Sequence, residues 1–389
     1  MRSLFKIALC TALGLILTAN LLPGGTYDLG PSLQLRHKGS LHNVFTTSRT
    51  MDFFGPTRTY IYDIQRVRTD WLAVFKRQLR LAVVYDHELR TGSYLGMREY
   101  SALKTFSPPE LINLDSGIME RRNLVWRHRL YRVYAEWDRY PVRLTAGRQQ
   151  VSWGTGYFWN PTDLFNPVTF ALVEPDERHG VDAASLELSL GTLSQVHAVW
   201  APGRNPRQGR GAVRLKTNVH DYDFSVIGGW FFRDRIMGAD FSGQIRGAGF
   251  RGEWLHNFAW RKAAYDQMVL GADYRFRGGV TLIGEYLYNS GALSESELLR
   301  NLSLAQVGSV MTLSRHLAGL YLDYQAHPLV HLTGYMSVDL EKGGLFLGPR
   351  VSWNILTDLD LEAGALMAAG GGEYSIMKNA FYLNTSWYF

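Results

Sequence analysis

Apolar and polar side chains alternate with period two through segment after segment of this chain, from about residue 60 to the last residue. In HPLVHLTGYMSVDL, Val330, Leu332, Met336 and Val338 oppose His331, Thr333, Tyr335, Ser337 and Asp339. In TDLDLEAGALM, Leu359, Leu361, Ala363 and Ala365 oppose Asp358, Asp360, Glu362 and Gly364. Val213, Leu215, Thr217 and Val219 form one apolar face and Tyr222, Phe224, Val226 and Trp230 another, divided only by His220-Asp221. Successive strand side chains point to opposite faces, so each segment reads as a strand with one apolar side. A helix would need apolar residues three and four apart, and that spacing is missing. The chain even stops inside the pattern. In NAFYLNTSWYF, Phe381, Leu383, Thr385, Trp387 and Phe389 share one side, with no polar tail after them.

Strands are predicted near 64–75, 79–88, 124–136, 141–150, 181–190, 193–202, 210–219, 222–233, 236–246, 249–260, 267–276, 280–289, 313–326, 329–340, 345–356, 358–367 and 378–389. Alternate breaks are very short: Lys76-Arg77-Gln78, Gly191-Thr192, His220-Asp221, Arg277-Gly278-Gly279 and His327-Pro328. The long breaks, 89–123, 151–180 and 290–312, all fall between them. Short turns at one end and long loops at the other are the mark of a transmembrane barrel rather than a soluble sandwich. Placing the C-terminus in the periplasm makes the short turns periplasmic, and 64–75 then runs downward. An upward strand must precede it, and 33–48 is the candidate. The expectation is an all-β antiparallel barrel of about eighteen strands. Trp71, Phe75, Trp137, Tyr140, Trp353, Trp387 and Phe389 fall at periplasmic ends, and Trp200, Trp230, Trp254, Trp260, Tyr286 and Tyr288 toward outer ends. Two aromatic girdles are expected where amphipathic rings meet lipid headgroups. Trp387 and Phe389 look like the C-terminal signal read by the barrel-assembly machinery.

The faces opposite the apolar ones line the lumen. Inward candidates are Arg66, Arg68, Arg132, Arg143, Arg214, Lys216, Arg246, Arg251, Arg275 and Arg350. Asp70, Glu136, Glu187, Asp240, Glu253, Asp273, Glu285, Asp323, Asp339, Asp358, Asp360 and Glu362 face them with the opposite sign. So many charges cannot face lipid, and a barrel of this size can hold an aqueous channel.

The N-terminus reads as an export signal, residues 1–19, with Arg2 and Lys6 flanking the start of the apolar run IALCTALGLILTA. That run is too short for a spanning helix, which needs about 20 residues. The one cysteine, Cys10, lies inside it, so residues 20–389 form a single barrel domain without cysteine, and no cofactor or metal is called for. Losing Arg2 and Lys6 lowers the formal net charge from +6 to about +4, too little and too dispersed to imply nucleic acid.

The stretch GRQQVSWGTGYFWNPTDLFNP, residues 147 to 167, breaks the alternation and opens a loop of about thirty residues, far above usual connection lengths. Trp153, Tyr157, Phe158, Trp159 and Phe165 are too many aromatics for a loop surrounded by water. The loop either folds back into the barrel and narrows it, or packs as an outer lid; the aromatics favour the first. Arg148, Gln149, Trp153, Tyr157, Trp159 and Asp163 are then the constriction candidates, with Glu174, Asp176, Glu177 and Arg178 beyond them. Gly147-Arg148-Gln149 at a strand end, then Trp153-Gly154 and the Asn-Pro-rich loop, resembles the outer-membrane porins related to alginate-export channels. YDIQRVRTDWLAVF followed by LRLAVVYDHEL resembles their early hairpin. The resemblance implies an eighteen-stranded monomeric channel, in some members with an Arg-rich lumen for anionic polysaccharide.

No catalytic constellation emerges. Asp86 and His87 are adjacent strand residues facing opposite sides, and His316, His327 and His331 lack metal-type spacing. The reading is therefore a porin-like channel in the outer membrane of a Gram-negative bacterium, passing ions or small hydrophilic solutes. The alternative is a barrel sheath around multihaem cytochromes, which would need no redox group of its own.

Overall fold

Strands with one apolar face and one charged face can satisfy both only by closing into a ring, lipid outside and polar groups within. The computed structural model shows that closure, and it describes residues 24–51, 56–104, 110–166, 180–260, 263–294, 296–297, 310–375 and 379–389. The proposed export signal, 1–19, lies outside the described residues. In chain order the first strands are β1 (Gly25–Asp28), β2 (Leu33–Met51), β3 (Thr57–Phe75), β4 (Leu79–Thr91), β5 (Asp115–Arg121), β6 (Leu124–Arg139) and β7 (Val142–Gln149). Then follow β8 (Val181–Ser189), β9 (Gln195–Ala201), β10 (Arg210–Val219), β11 (Tyr222–Phe231), β12 (Asp234–Ile245), β13 (Ala248–Phe258) and β14 (Tyr265–Arg275). The last are β15 (Val280–Asn289), β16 (His316–His327), β17 (Val330–Asp339), β18 (Leu345–Leu356), β19 (Leu359–Ala369) and β20 (Ala380–Tyr388).

Every neighbouring pair is antiparallel, and β20 joins both β19 and β2, which closes a ring of 18 strands. Two further strands do not add to the ring. The short β1 runs beside β2 from Gly25↔His37 downward, beyond the point where β20 ends at Ser40↔Tyr388. Above β7, β5 pairs with the outer half of β6. Sequence reading missed both, because β1 is too short for a period and β5 is exposed on both faces.

Burial is inverted relative to a water-soluble protein. Leu215, Val226, Leu270, Leu320 and Leu383 are exposed on the outside, while Asp240, Glu253 and Glu285 are enclosed. Trp137, Tyr140, Trp353 and Trp387 stand exposed at one end of the wall, and Trp200, Trp230 and Trp260 at the other. Arg246 and Asp358, expected on the inner face, sit instead in turns at strand ends, where the backbone reverses and alternation stops. At the seam, the Phe389 N–H donates to the Gly39 carbonyl (2.9 Å), and the Gly39 N–H donates to the Phe389 carbonyl (2.7 Å).

Candidate functional site: the inner wall and the segment against it

After Gln149 the chain leaves the wall and runs along its inner side. Gly154 takes a positive φ of 86°, which a side chain would strain. The turn then presents a series of backbone N–H groups to two carboxylates of the wall. On β13, Glu253 accepts from the N–H groups of Thr155 (2.5 Å), Gly156 (2.7 Å) and Thr162 (3.0 Å) and from the Thr162 hydroxyl (2.8 Å). On β15, Glu285 accepts from the N–H groups of Tyr157 and Phe158, the latter at 2.7 Å. Loop N–H groups with no ladder partner thus find acceptors in carboxyl oxygens of the wall.

Apolar packing holds the same segment. Val151, Trp153, Leu164 and Phe165 lie against inward residues of β8 to β13, including Val181, Val199, Ile227 and Leu255. Phe158 and Trp159 lie against Val269, Leu287 and Leu317 of β14 to β16. Trp153 donates its indole N–H to His197 Nδ1 (3.0 Å) and meets Phe165 edge-on at 5.3 Å. Tyr157 rests on Tyr321, ring centroids 4.7 Å apart. Asp163 is fully buried, accepting from the Asn166 N–H at 3.2 Å. Gln149 is anchored at the base, accepting from the Ser185 hydroxyl (2.9 Å) and donating to the Ala183 carbonyl (2.9 Å).

The remaining wall carries charge in opposed rows. Arg66 faces Glu88 (3.4 Å) and Arg68 faces Asp86 (2.6 Å) across β3 and β4. Arg127 and Arg129 share Asp115 at 3.1 Å each. Arg68 and Arg132 both lie over the Tyr131 ring, at 4.3 and 5.4 Å. Arg143 bridges Asp138 (3.0 Å) and Glu187 (3.1 Å). Further round, Arg214 meets Asp240 (2.9 Å), Lys216 meets Asp223 (2.8 Å) and Arg350 meets Glu362 (3.5 Å). Water reaches this surface: the side chains of Arg80 and Arg143 keep 39% and 40% of their exposure.

Arg148 is a correction. Strand alternation that puts Arg143 and Gln149 inside puts Arg148 on the other side of β7, opposite Asp182 of β8. There it meets Asp182 (2.8 Å), Glu110 (3.1 Å) and the Ile112 carbonyl (2.6 Å), with only 3% of its side chain exposed. Burial pushes the Glu110 carboxyl above its ordinary range, against the pull of Arg148. The cluster anchors the segment leading into β5 and does not face the lumen. Glu174, Asp176, Glu177 and Arg178 lie outside the described residues. Sequence reading ranked Glu253 and Glu285 only among inward acids; nothing local marks a carboxylate whose partners lie more than a hundred residues away for Glu285, or nearly so for Glu253.

No protein-family model matches the sequence, and no curated protein does. Solved structures do. The chain superposes on Pseudomonas aeruginosa OccK11 (OpdR) with a TM-score of 0.57 and 12% identity, over 91% of this chain and 96% of that one. Acinetobacter baumannii OccAB3 gives 0.56 and 11%, over 91% and 99%. Pseudomonas aeruginosa OccK7 (OpdD) gives 0.58 and 10%, over 92% and 99%. The chain has the outer-membrane β-barrel fold. Identity this low carries the fold and nothing finer.

Proposed function

We propose that the protein is a porin-like channel of the outer membrane of a Gram-negative bacterium, for passive diffusion of small hydrophilic solutes. One observation carries the reading: segment 150–166 is pinned along the β8–β16 side of the inner wall, while β3, β4 and β6 carry rows of paired charges on theirs, with Arg68, Arg127 and Arg129 keeping part of their side chains exposed. A polar path past a fixed obstruction is what a selective channel needs. The solved structures reported above are Occ/OprD outer-membrane porins, which supports the same reading. The narrower kinship of residues 147–167 with alginate-export porins rests on that stretch alone. On the β3–β6 wall Arg66, Arg68, Arg90, Arg127, Arg129 and Arg132 stand among Asp70, Asp86, Glu88, Asp115, Glu136 and Asp138, so the path is lined by both signs and suits polar solutes. The pinned segment also fills lumen that a sheathed cytochrome would need.

Planar-bilayer recording of the purified barrel tests this. Deleting residues 155–165 removes the obstruction and is expected to raise single-channel conductance. A barrel that never conducts, with or without the segment, would sink the channel reading.

A further inference from the structure

The turns at the short-loop end carry a charge pattern that neither channel activity nor turn geometry requires. Lys76 and Arg77 occupy the tip between β3 and β4 with φ of 48° and 59°, and Arg246 occupies the tip between β12 and β13 with φ of 51°. Tight hairpin turns favour Asn, Asp and Gly at left-handed positions of this kind. Long basic side chains there go against backbone preference. Arg139 follows at the adjacent β6–β7 turn, and Arg277 at the β14–β15 turn next to Arg246. The five are exposed, and among the described residues none meets a carboxylate. That sets them apart from the paired arginines of the lumen. Acidic tips are few, Asp221 and Asp358.

Their surroundings are those of a lipid interface. Lys76 lays its amine over the outward Phe75 ring, 5.3 Å from the centroid. Exposed Trp137 and Tyr140 flank Arg139, Ile245 precedes Arg246, and Phe276 precedes Arg277. Cations that close to an apolar girdle reach headgroups rather than bulk periplasm. The cations form two patches, each on neighbouring hairpins, divided by the turns at Gly191-Thr192 and His220-Asp221.

We propose that these patches bind anionic phospholipid headgroups of the periplasmic leaflet in preference to zwitterionic ones. Two or three unpaired cations at one headgroup plane offer more to a net negative headgroup than to one carrying its own ammonium. The inference rests on the outer-membrane placement proposed above, but not on conduction.

The test reconstitutes the full barrel in vesicles of phosphatidylethanolamine with a minor fraction of phosphatidylglycerol. The barrel is then extracted in mild detergent and the retained lipids are quantified. Wild type is expected to retain phosphatidylglycerol several-fold above its share of the vesicle. The triple variant K76Q/R77Q/R139Q and the double variant R246Q/R277Q should each lose part of that enrichment, and their combination all of it. Arg233→Gln, at the opposite end, should lose none. Heat-modifiable mobility confirms that each variant is a folded barrel. Enrichment that is absent, or unchanged in the combined variant, overturns the proposal. So does charge-dependent sedimentation with peptidoglycan sacculi in place of lipid enrichment, which would assign the patches to an acidic polymer. Conductance is measured separately, so a silent channel with intact lipid enrichment would fail only the channel reading.

Discussion

Arg148 and Leu270 show how much one position of alternation decides. Arg148 is enclosed between Asp182 and Glu110. Removing one member of a buried charge cluster typically costs about 3–5 kcal/mol, because the remaining charges lose their partner. Arg148→Gln should therefore lower the unfolding free energy of the reconstituted barrel by that order, read as a lower midpoint in a urea titration. Its reversal potential should hardly move, since the side chain is off the ion path. A selectivity shift with unchanged stability would return Arg148 to the lumen. Leu270 lies midway along β14 on the outer face, and an arginine near the bilayer midplane costs about 2–4 kcal/mol. Leu270→Arg should show that loss in a folding titration. Ser242→Arg, on the inner face opposite Asp223, should not. Equal losses would mean that the two faces are exchanged.

At the scale of an element, the outer loops are tied by a group that titrates near neutrality. The turn Gly372–Tyr374 between β19 and β20 dips into the mouth, where Tyr374 stacks on Phe346 at 5.6 Å. Beside it, Glu373 accepts from the N–H groups of Leu313 (2.5 Å) and Ser314 (3.3 Å). Burial, with Asp339 adding to it, pushes the Glu373 carboxyl from 4.5 up to about 7, against the pull of those N–H groups and Lys342. Between these values the folded loop holds a proton that the unfolded loop has lost. The contribution is therefore complete below about 4.5 and is lost as pH rises through about 7. Amide exchange at Leu313 and Ser314, corrected for intrinsic rate, should show more protection near pH 5 than near pH 8. Glu373→Gln keeps a carbonyl acceptor and should flatten that dependence. An unchanged slope in the variant would assign it to another group.

For the whole molecule, the closing seam pairs β20 with β2 from Ser48↔Ala380 to Ser40↔Tyr388 and ends on Phe389. Phe389 exchanges two backbone hydrogen bonds with Gly39, and a Cβ at Gly39 would overlap the Phe389 ring. The glycine therefore makes room for the terminal aromatic at the seam, beside Trp387 at 5.3 Å. Deleting Phe389 should reduce heat-modifiable barrel in the outer membrane, through loss of the seam contact and of the proposed assembly signal. Gly39→Val should do so through the seam alone. Wild-type levels in both variants would show that the seam closes without them.

Period two was enough to read the barrel from the chain, because lipid outside and water inside impose opposite chemistry on successive residues. That pattern, with the loop lengths, yields the ring of strands and its even number. The facing of Arg148 was also within its reach, since counting from Arg143 already puts position 148 outside. Where alternation stops, so does legibility. The aromatics of residues 151–166 mark a segment that must be covered, yet they do not say by what. Only tertiary structure brings Glu253 and Glu285 to its backbone, Tyr321 to Tyr157 and Glu110 to Arg148. The contacts of Glu253, Glu285 and Tyr321 join residues far apart in the chain and arise only once the ring has closed and curved the distant strands toward one another. Glu110 instead reaches Arg148 from the neighbouring segment that leads into β5. Local pattern decides which way a side chain points; closure decides what it meets.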